Sequence, residues 1–115
     1  MNNNQVYGIK GEELAAKYLK KHGYKIIKRN YKCPVGEIDI IAKDKDILVF
    51  IEVKSRNSLA YGRPAEAVDE FKQRKLTQLA KYYINLNNLY NVFARFDVVE
   101  VLGGEINLIQ NAWTL

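Results

Sequence analysis

The chain has 115 residues, 48% hydrophobic and 27% charged, with a net charge of +5. That length suits a single compact domain able to bury a core without disulfides or a structural metal, and the apolar content excludes a disordered tail. Its longest apolar run, Ile47 to Ile51, is far short of the ~20 residues of a membrane helix, and its one cysteine, Cys33, excludes an internal disulfide framework. The first residues, Met1-Asn2-Asn3-Asn4-Gln5, carry neither the basic nor the apolar region of a signal peptide. The expectation is one cytoplasmic domain over residues 1–115, with 1–6 a flexible lead-in and no membrane contact.

Residues 7–22 read as a helix, with Leu14, Ala15, Tyr18 and Leu19 as its apolar stripe and Gly23 at the left-handed C-cap position. Glu13 points away from the stripe toward Lys17, whereas Glu12 lies at the edge of the buried face. Residues 24–31 read as a strand, and Cys33-Pro34-Val35-Gly36 is a turn signal. Two further strands are expected at 37–42 and 47–54, joined by a hairpin loop at Lys43–Asp46. After a polar loop, Pro64 is a favourable first residue for a helix over 65–86. Its apolar stripe includes Val68, Phe71, Leu76, Leu79 and Tyr83, and Asn87-Asn88 ends it. Residues 92–101 are strongly β-prone, Gly103-Gly104 turns the chain, and 105–109 read as a last short strand. This order predicts an α/β fold, a mixed sheet flanked by helices.

Charge is unevenly spread. Residues 1–32 carry eight basic and two acidic groups, and residues 54–81 carry seven and three. Between them, residues 33–53 carry two basic and five acidic groups. Basic arms attract polyanions by counterion release, which makes nucleic acid the first expected partner.

The acidic island has a pattern. Closing the hairpin around Lys43–Asp46 pairs Ala42 with Ile47, Asp39 with Phe50 and Glu37 with Glu52. Alternation then puts Glu37, Asp39, Ile41, Leu48, Phe50, Glu52 and Lys54 on one face. Ile38, Ile40, Ile47, Val49, Ile51 and Val53 fall on the other. Asp39 and Glu52 become diagonal neighbours, with β-carbons roughly 6–8 Å apart. Exposed charge pairs are common and contribute little to stability. Here the shared apolar residues imply a covered face, where repelling carboxylates require a cation. Lys54 supplies one charge and leaves negative charge over. A hard ion such as Mg²⁺ suits this oxygen donor set, with Mn²⁺ able to replace it, whereas zinc does not.

Asp39, twelve intervening residues, then Glu52-Val53-Lys54 resembles the D-x(n)-E-x-K signature of the restriction-endonuclease-like nuclease superfamily. Glu12 is similar to the extra helix acid of its Holliday-junction-resolvase and RecB-like branches. Gly11-Glu12, Gly23-Tyr24, Gly36-Glu37-Ile38-Asp39, Ile51-Glu52-Val53-Lys54, Lys72-Gln73-Arg74 and Arg95-Phe96-Asp97-Val98-Val99 resemble the YraN-like family of small bacterial endonuclease-like proteins. One departure is Ile38 in place of the superfamily's proline before Asp39.

The resemblance implies a restriction-endonuclease-like fold and Mg²⁺-dependent hydrolysis of DNA phosphodiesters. Asp39 and Glu52, with the Val53 carbonyl and Glu12, would hold the metal, and Lys54 would serve the attacking water and the developing charge. Glu37 and Gln73 are auxiliary candidates. Lys72, Arg74, Lys75 and Arg56 are candidates for nucleic-acid contacts. Resolvase-like relatives imply branched DNA and a homodimer. The alternatives are a nucleic-acid-binding module with a vestigial site, an RNA-directed nuclease and a non-enzymatic interaction protein.

Overall fold

The computed structural model describes residues 3–56 and 69–113, with side chains from Lys10 to Ser55 and from Asp69 to Trp113. The element order is α1 (Asn3–Lys21), β1 (Lys25–Cys33), β2 (Gly36–Asp44), β3 (Ile47–Arg56), α2 (Glu70–Leu86), β4 (Phe93–Leu102) and β5 (Glu105–Trp113). The strands form one five-stranded sheet in sequential order, antiparallel except for the β3–β4 pair, which is parallel. A parallel pair needs a crossover, and α2 supplies it. This is the mixed α/β order read from the sequence. No helix among the described residues is long and apolar enough to cross a membrane.

Each helix covers one face of the sheet. Ala15, Ala16 and Leu19 of α1 pack with Ile40, Ala42, Val49, Ile51, Val99 and Val101. Leu76, Leu79, Ala80 and Tyr83 of α2 pack with Ile38, Ile41, Leu48, Phe50 and Phe96. Neighbours along β3 therefore go to opposite cores, as the pleat dictates. Trp113 stacks on Phe96 with centroids 4.7 Å apart and fastens β5 to the α2-side core.

The helix ends follow their local chemistry. Gly23 has φ +89°; its N–H donates to the Lys20 carbonyl and the Tyr24 N–H to the Leu19 carbonyl, a Schellman closure of α1. Asn88 at φ +54° closes α2 in the same way, with the Leu89 N–H donating to the Ile84 carbonyl. At the start of α2 the structure departs from expectation. Asp69 is extended, and its side chain accepts from the Lys72 N–H at 2.9 Å, so α2 begins at Glu70 rather than beside Pro64. Pro64 and Val68 lie outside the described residues. At the other end of the chain α1 begins at Asn3, ahead of the expected start at Tyr7. Glu13 pairs with Arg29 of β1 at 2.8 Å instead of with Lys17.

Asp97, fully buried on the α1 side, anchors a polar network. Its carboxylate accepts from the Tyr24 hydroxyl (2.7 Å), Arg95 Nε (3.0 Å), Arg95 Nη2 (3.2 Å) and the Asn111 N–H (2.9 Å). Arg95 also donates to Asp44 at 2.7 Å, and Gln110 donates to the Tyr24 oxygen at 2.9 Å. Burial works against the Arg95 charge, but its hydrogen bonds to Asp97 and Asp44 outweigh it and hold the guanidinium above its ordinary range. Burial pushes the Tyr24 phenol up to about 12, against an opposing contribution from Gln110. Every partner here is satisfied, which is the condition for a buried charge to be tolerated. Asp97→Ala should therefore cost about 3–5 kcal/mol in urea unfolding, the penalty for removing one partner of a buried ion pair and leaving the Tyr24 and Asn111 donors unmatched.

Candidate active site

The site begins where β2 and β3 part. Their ladder runs from Asp44 opposite Ile47 to Ile40 opposite Ile51. The turn is thus Lys45-Asp46, and the register differs by two residues from the expected one. A shift of two preserves the faces of β3 but changes the levels: Phe50 lies opposite Ile41, and continuing the register brings Asp39 level with Glu52. Ile38 is a second correction, because it joins the α2-side core while Ile40 joins the α1-side core. Alternation slips between them, at Asp39. There the Asp39 carboxylate accepts the Val53 N–H at 2.7 Å, so a side chain stands in for a strand carbonyl.

Two further carboxylates meet Asp39. Glu12 reaches toward it from α1 and Glu52 from β3, and the Asp39 carboxylate raises the proton affinity of both. Desolvation first, then the Asp39 hydrogen bond and charge, push Glu12 up to about 7. Desolvation and the Asp39 charge push Glu52 up to about 8, opposed by Lys72 and Lys54. Glu52 is 6% exposed, and its Oε2 is buried with no hydrogen-bond partner. Lys72 Nζ lies 3.8 Å from that oxygen, within ion-pair range but too far for a hydrogen bond.

Gly11 sets the depth of Glu12. A β-carbon at Gly11 would fall 2.6 Å from Ser55 Oγ and 2.7 Å from Ser55 Cβ, so only glycine lets α1 lie this close to β3. Among the described residues, no three His, Cys, Asp or Glu side chains already stand in an ion-holding arrangement. Glu12 and Glu52 are instead linked to Asp39 through the rise in proton affinity that its neighbouring carboxylate causes in each. As a donor set they suit a hard divalent cation: all oxygen, surplus negative charge, and one buried oxygen left without a donor.

The sequence profile of the "Uncharacterised protein family UPF0102" matches residues 11–101. The chain belongs to this family. It is 49% identical to a UPF0102 protein of Desulfosudis oleivorans, over 98% of this chain and 94% of that one. A UPF0102 protein of Caldicellulosiruptor saccharolyticus is 46% identical, over 96% and 99% respectively. One from Clostridium perfringens is 51% identical, over 85% and 80%. The profile match begins at Gly11, so the UPF0102 span contains Glu12, Asp39, Glu52 and Lys54.

The other candidate residues of this UPF0102 chain divide. Lys54 is half-buried and acts on Glu52. Lys72, expected only at the phosphate, is paired directly with Glu52. Glu37 is exposed and lines a groove with Lys72 and Lys75. Arg74 is exposed, Gln73 is half-buried, and the Arg56 side chain lies outside the described residues. Sequence reading missed Glu100, buried to 2% exposure beside Lys54 in the parallel register and accepting from Asn107 Nδ2 at 2.8 Å. A carboxylate inside the apolar run of β4 was the available signal.

The raised acids and the close helix approach each have a measurable consequence. An acid whose folded-state pKa lies above its unfolded value binds extra protons in the native state. Its stabilisation is complete at low pH and is lost as pH rises from about 4.5 through about 8. In metal-free buffer, Glu52→Gln should therefore gain stability relative to wild type between about pH 5 and about pH 8.5, read as diverging urea midpoints. Gly11→Ala should lower the melting temperature by several degrees, and Ser55→Gly should restore most of that loss in the double variant.

Proposed function

We propose that this protein is a metal-dependent endonuclease that hydrolyses DNA phosphodiester bonds, with Mg²⁺ as its ion and Mn²⁺ able to substitute. The observation that carries the reading is the buried Glu52 Oε2, which has no hydrogen-bond partner, on a carboxylate beside Asp39 with two lysines acting on it. A buried acid of this kind is costly for structure alone and suited to a site completed by a cation.

Asp39 and Glu52 would hold the ion, with the Val53 carbonyl and Glu12 as further oxygen donors. When bound, such an ion polarises a phosphate and acidifies a water. The chain's own part is orientation and charge. The Val53 N–H fixes the Asp39 carboxylate. Lys54 orients the attacking water and balances charge developing on the phosphate. Lys72, beside Glu52, adds a second cation for the DNA backbone. Exposed Lys17, Lys20 and Lys21 of α1 and Lys25, Lys28 and Lys32 of β1 add positive charge of the kind that binds phosphates through counterion release.

The test is single-turnover cleavage and equilibrium binding on the same linear, flapped and four-way-junction DNAs, with Mg²⁺ or Mn²⁺. Lys54→Met should slow cleavage by ~10²–10³-fold while weakening binding only modestly. Glu52→Gln should behave alike, and the double variant should be barely worse than either. Absence of cleavage on every substrate, with Lys54→Met merely loosening binding and lowering the salt slope by about one, would leave a binding module instead.

A further inference from the structure

Phe71 is out of place for a core residue. Helical spacing puts it in the apolar stripe of α2 with Leu76, Leu79 and Tyr83, which are buried, yet Phe71 is 63% exposed. It lines a groove of about 230 Å³ together with apolar Val35 and Leu76 and the charged Lys72, Lys75 and Glu37. The Lys75 ammonium lies 5.8 Å from the Phe71 ring centroid. Lys72 belongs both to this groove and to the carboxylate site, 3.8 Å from Glu52.

We propose that the groove is a stacking subsite for one unpaired base of a nucleic-acid strand, with Lys72 and Lys75 against the flanking phosphates. The volume is below the roughly 300–1,000 Å³ of pockets that enclose whole ligands, and suits one planar ring system. An aromatic face stacks a base of any sequence, and flanking cations neutralise its backbone. Glu37, the one carboxylate of the lining, is an acceptor for the N–H groups of a base edge. In a duplex the bases already stack on each other, so Phe71 selects strands with an unpaired nucleotide. The proposal deepens the nuclease reading and rests on it for one point, the scissile phosphate lying beside Glu52. It makes the substrate a flap, gap, single strand or open junction rather than uninterrupted duplex.

The experiment measures equilibrium binding of a single-stranded oligonucleotide and a blunt duplex in chelator, where no metal-dependent cleavage intervenes. Phe71→Ala should weaken single-strand binding by about 5- to 150-fold, the range for losing one base–aromatic stack, and leave duplex binding and the salt slope unchanged. Phe71→Leu should not restore it, whereas Phe71→Trp should. Lys75→Ala should instead lower the salt slope by about one. In Phe71→Trp, added single strand should quench emission beyond the response of wild type, whose only tryptophan, Trp113, is stacked on Phe96. Equal losses on single strand and duplex, or no loss on either, would overturn the proposal. So would finding that the indole introduced by Phe71→Trp is already shielded from acrylamide in the free protein, since the chain itself would then fill the groove. The two readings fail separately. Phe71-dependent binding without cleavage by wild type supports the subsite and removes the catalytic reading. Cleavage that depends on Lys54, with single-strand binding indifferent to Phe71→Ala, removes the subsite alone.

Discussion

The hydrogen bond from the Val53 N–H to the Asp39 carboxylate is the constraint on which the site depends. In an antiparallel ladder each strand N–H finds a carbonyl on its neighbour. Here the ladder ends at Ile40 and Ile51, and a side chain takes over the acceptor role. That exchange breaks the alternation of β2, sends Ile38 and Ile40 to opposite cores, and leaves Asp39 between the two helical layers. A carboxylate in that position can meet Glu12 from the α1 side and Glu52 from β3. Without the slip, strict alternation would confine Asp39 to the α2 face, away from α1.

Two buried acids show how differently a fold can treat the same functional group. Asp97 accepts four hydrogen bonds from three residues, two of them from an arginine that it shares with Asp44. It is a closed structural network that ties β4 and β5 to the start of β1. Glu52 has a like-charged neighbour in Asp39, two lysines opposing it, and one oxygen with no hydrogen-bond donor. Like charges at close range raise each other's proton affinity, so in the absence of a cation the cluster holds protons near neutral pH. Structural acids are matched by donors from their own chain, whereas the Asp39 cluster is matched in part. That imbalance is the physical basis for assigning it to chemistry.

The errors in the hairpin have a specific cause. Hydrophobic alternation has a period of two and cannot distinguish registers that differ by two residues. It placed Leu48 and Phe50 on the correct face, and left the level of Asp39 against Glu52 to the turn. Lys45 adopts φ +56°, which sets the turn at Lys45-Asp46 and carries Lys43 and Asp44 into β2. The α2 boundary is similar. The sequence pointed to Pro64, and the extended backbone and capping bond of Asp69 start α2 at Glu70. In each case backbone geometry set a boundary that the local pattern had placed elsewhere.

What the sequence determined by itself is therefore what depends on neighbours along the chain: the order of helices and strands, the two-sided burial of β3, the caps at Gly23 and Asn88, and the gathering of Asp39, Glu52 and Lys54 on one hairpin. Periods of 2 and 3.6 residues are properties of the backbone and are visible in any window. Only the tertiary structure decided which turn of α1 lies against β3, because that depth rests on the close approach of Gly11 to Ser55, residues far apart in the chain. The same packing decided that Glu12 reaches Asp39, that Lys72 and not Lys54 is the ion-pair partner of Glu52, and that Phe71 stands outside the core. Contacts between layers depend on how deeply whole elements pack, and no local periodicity carries that distance.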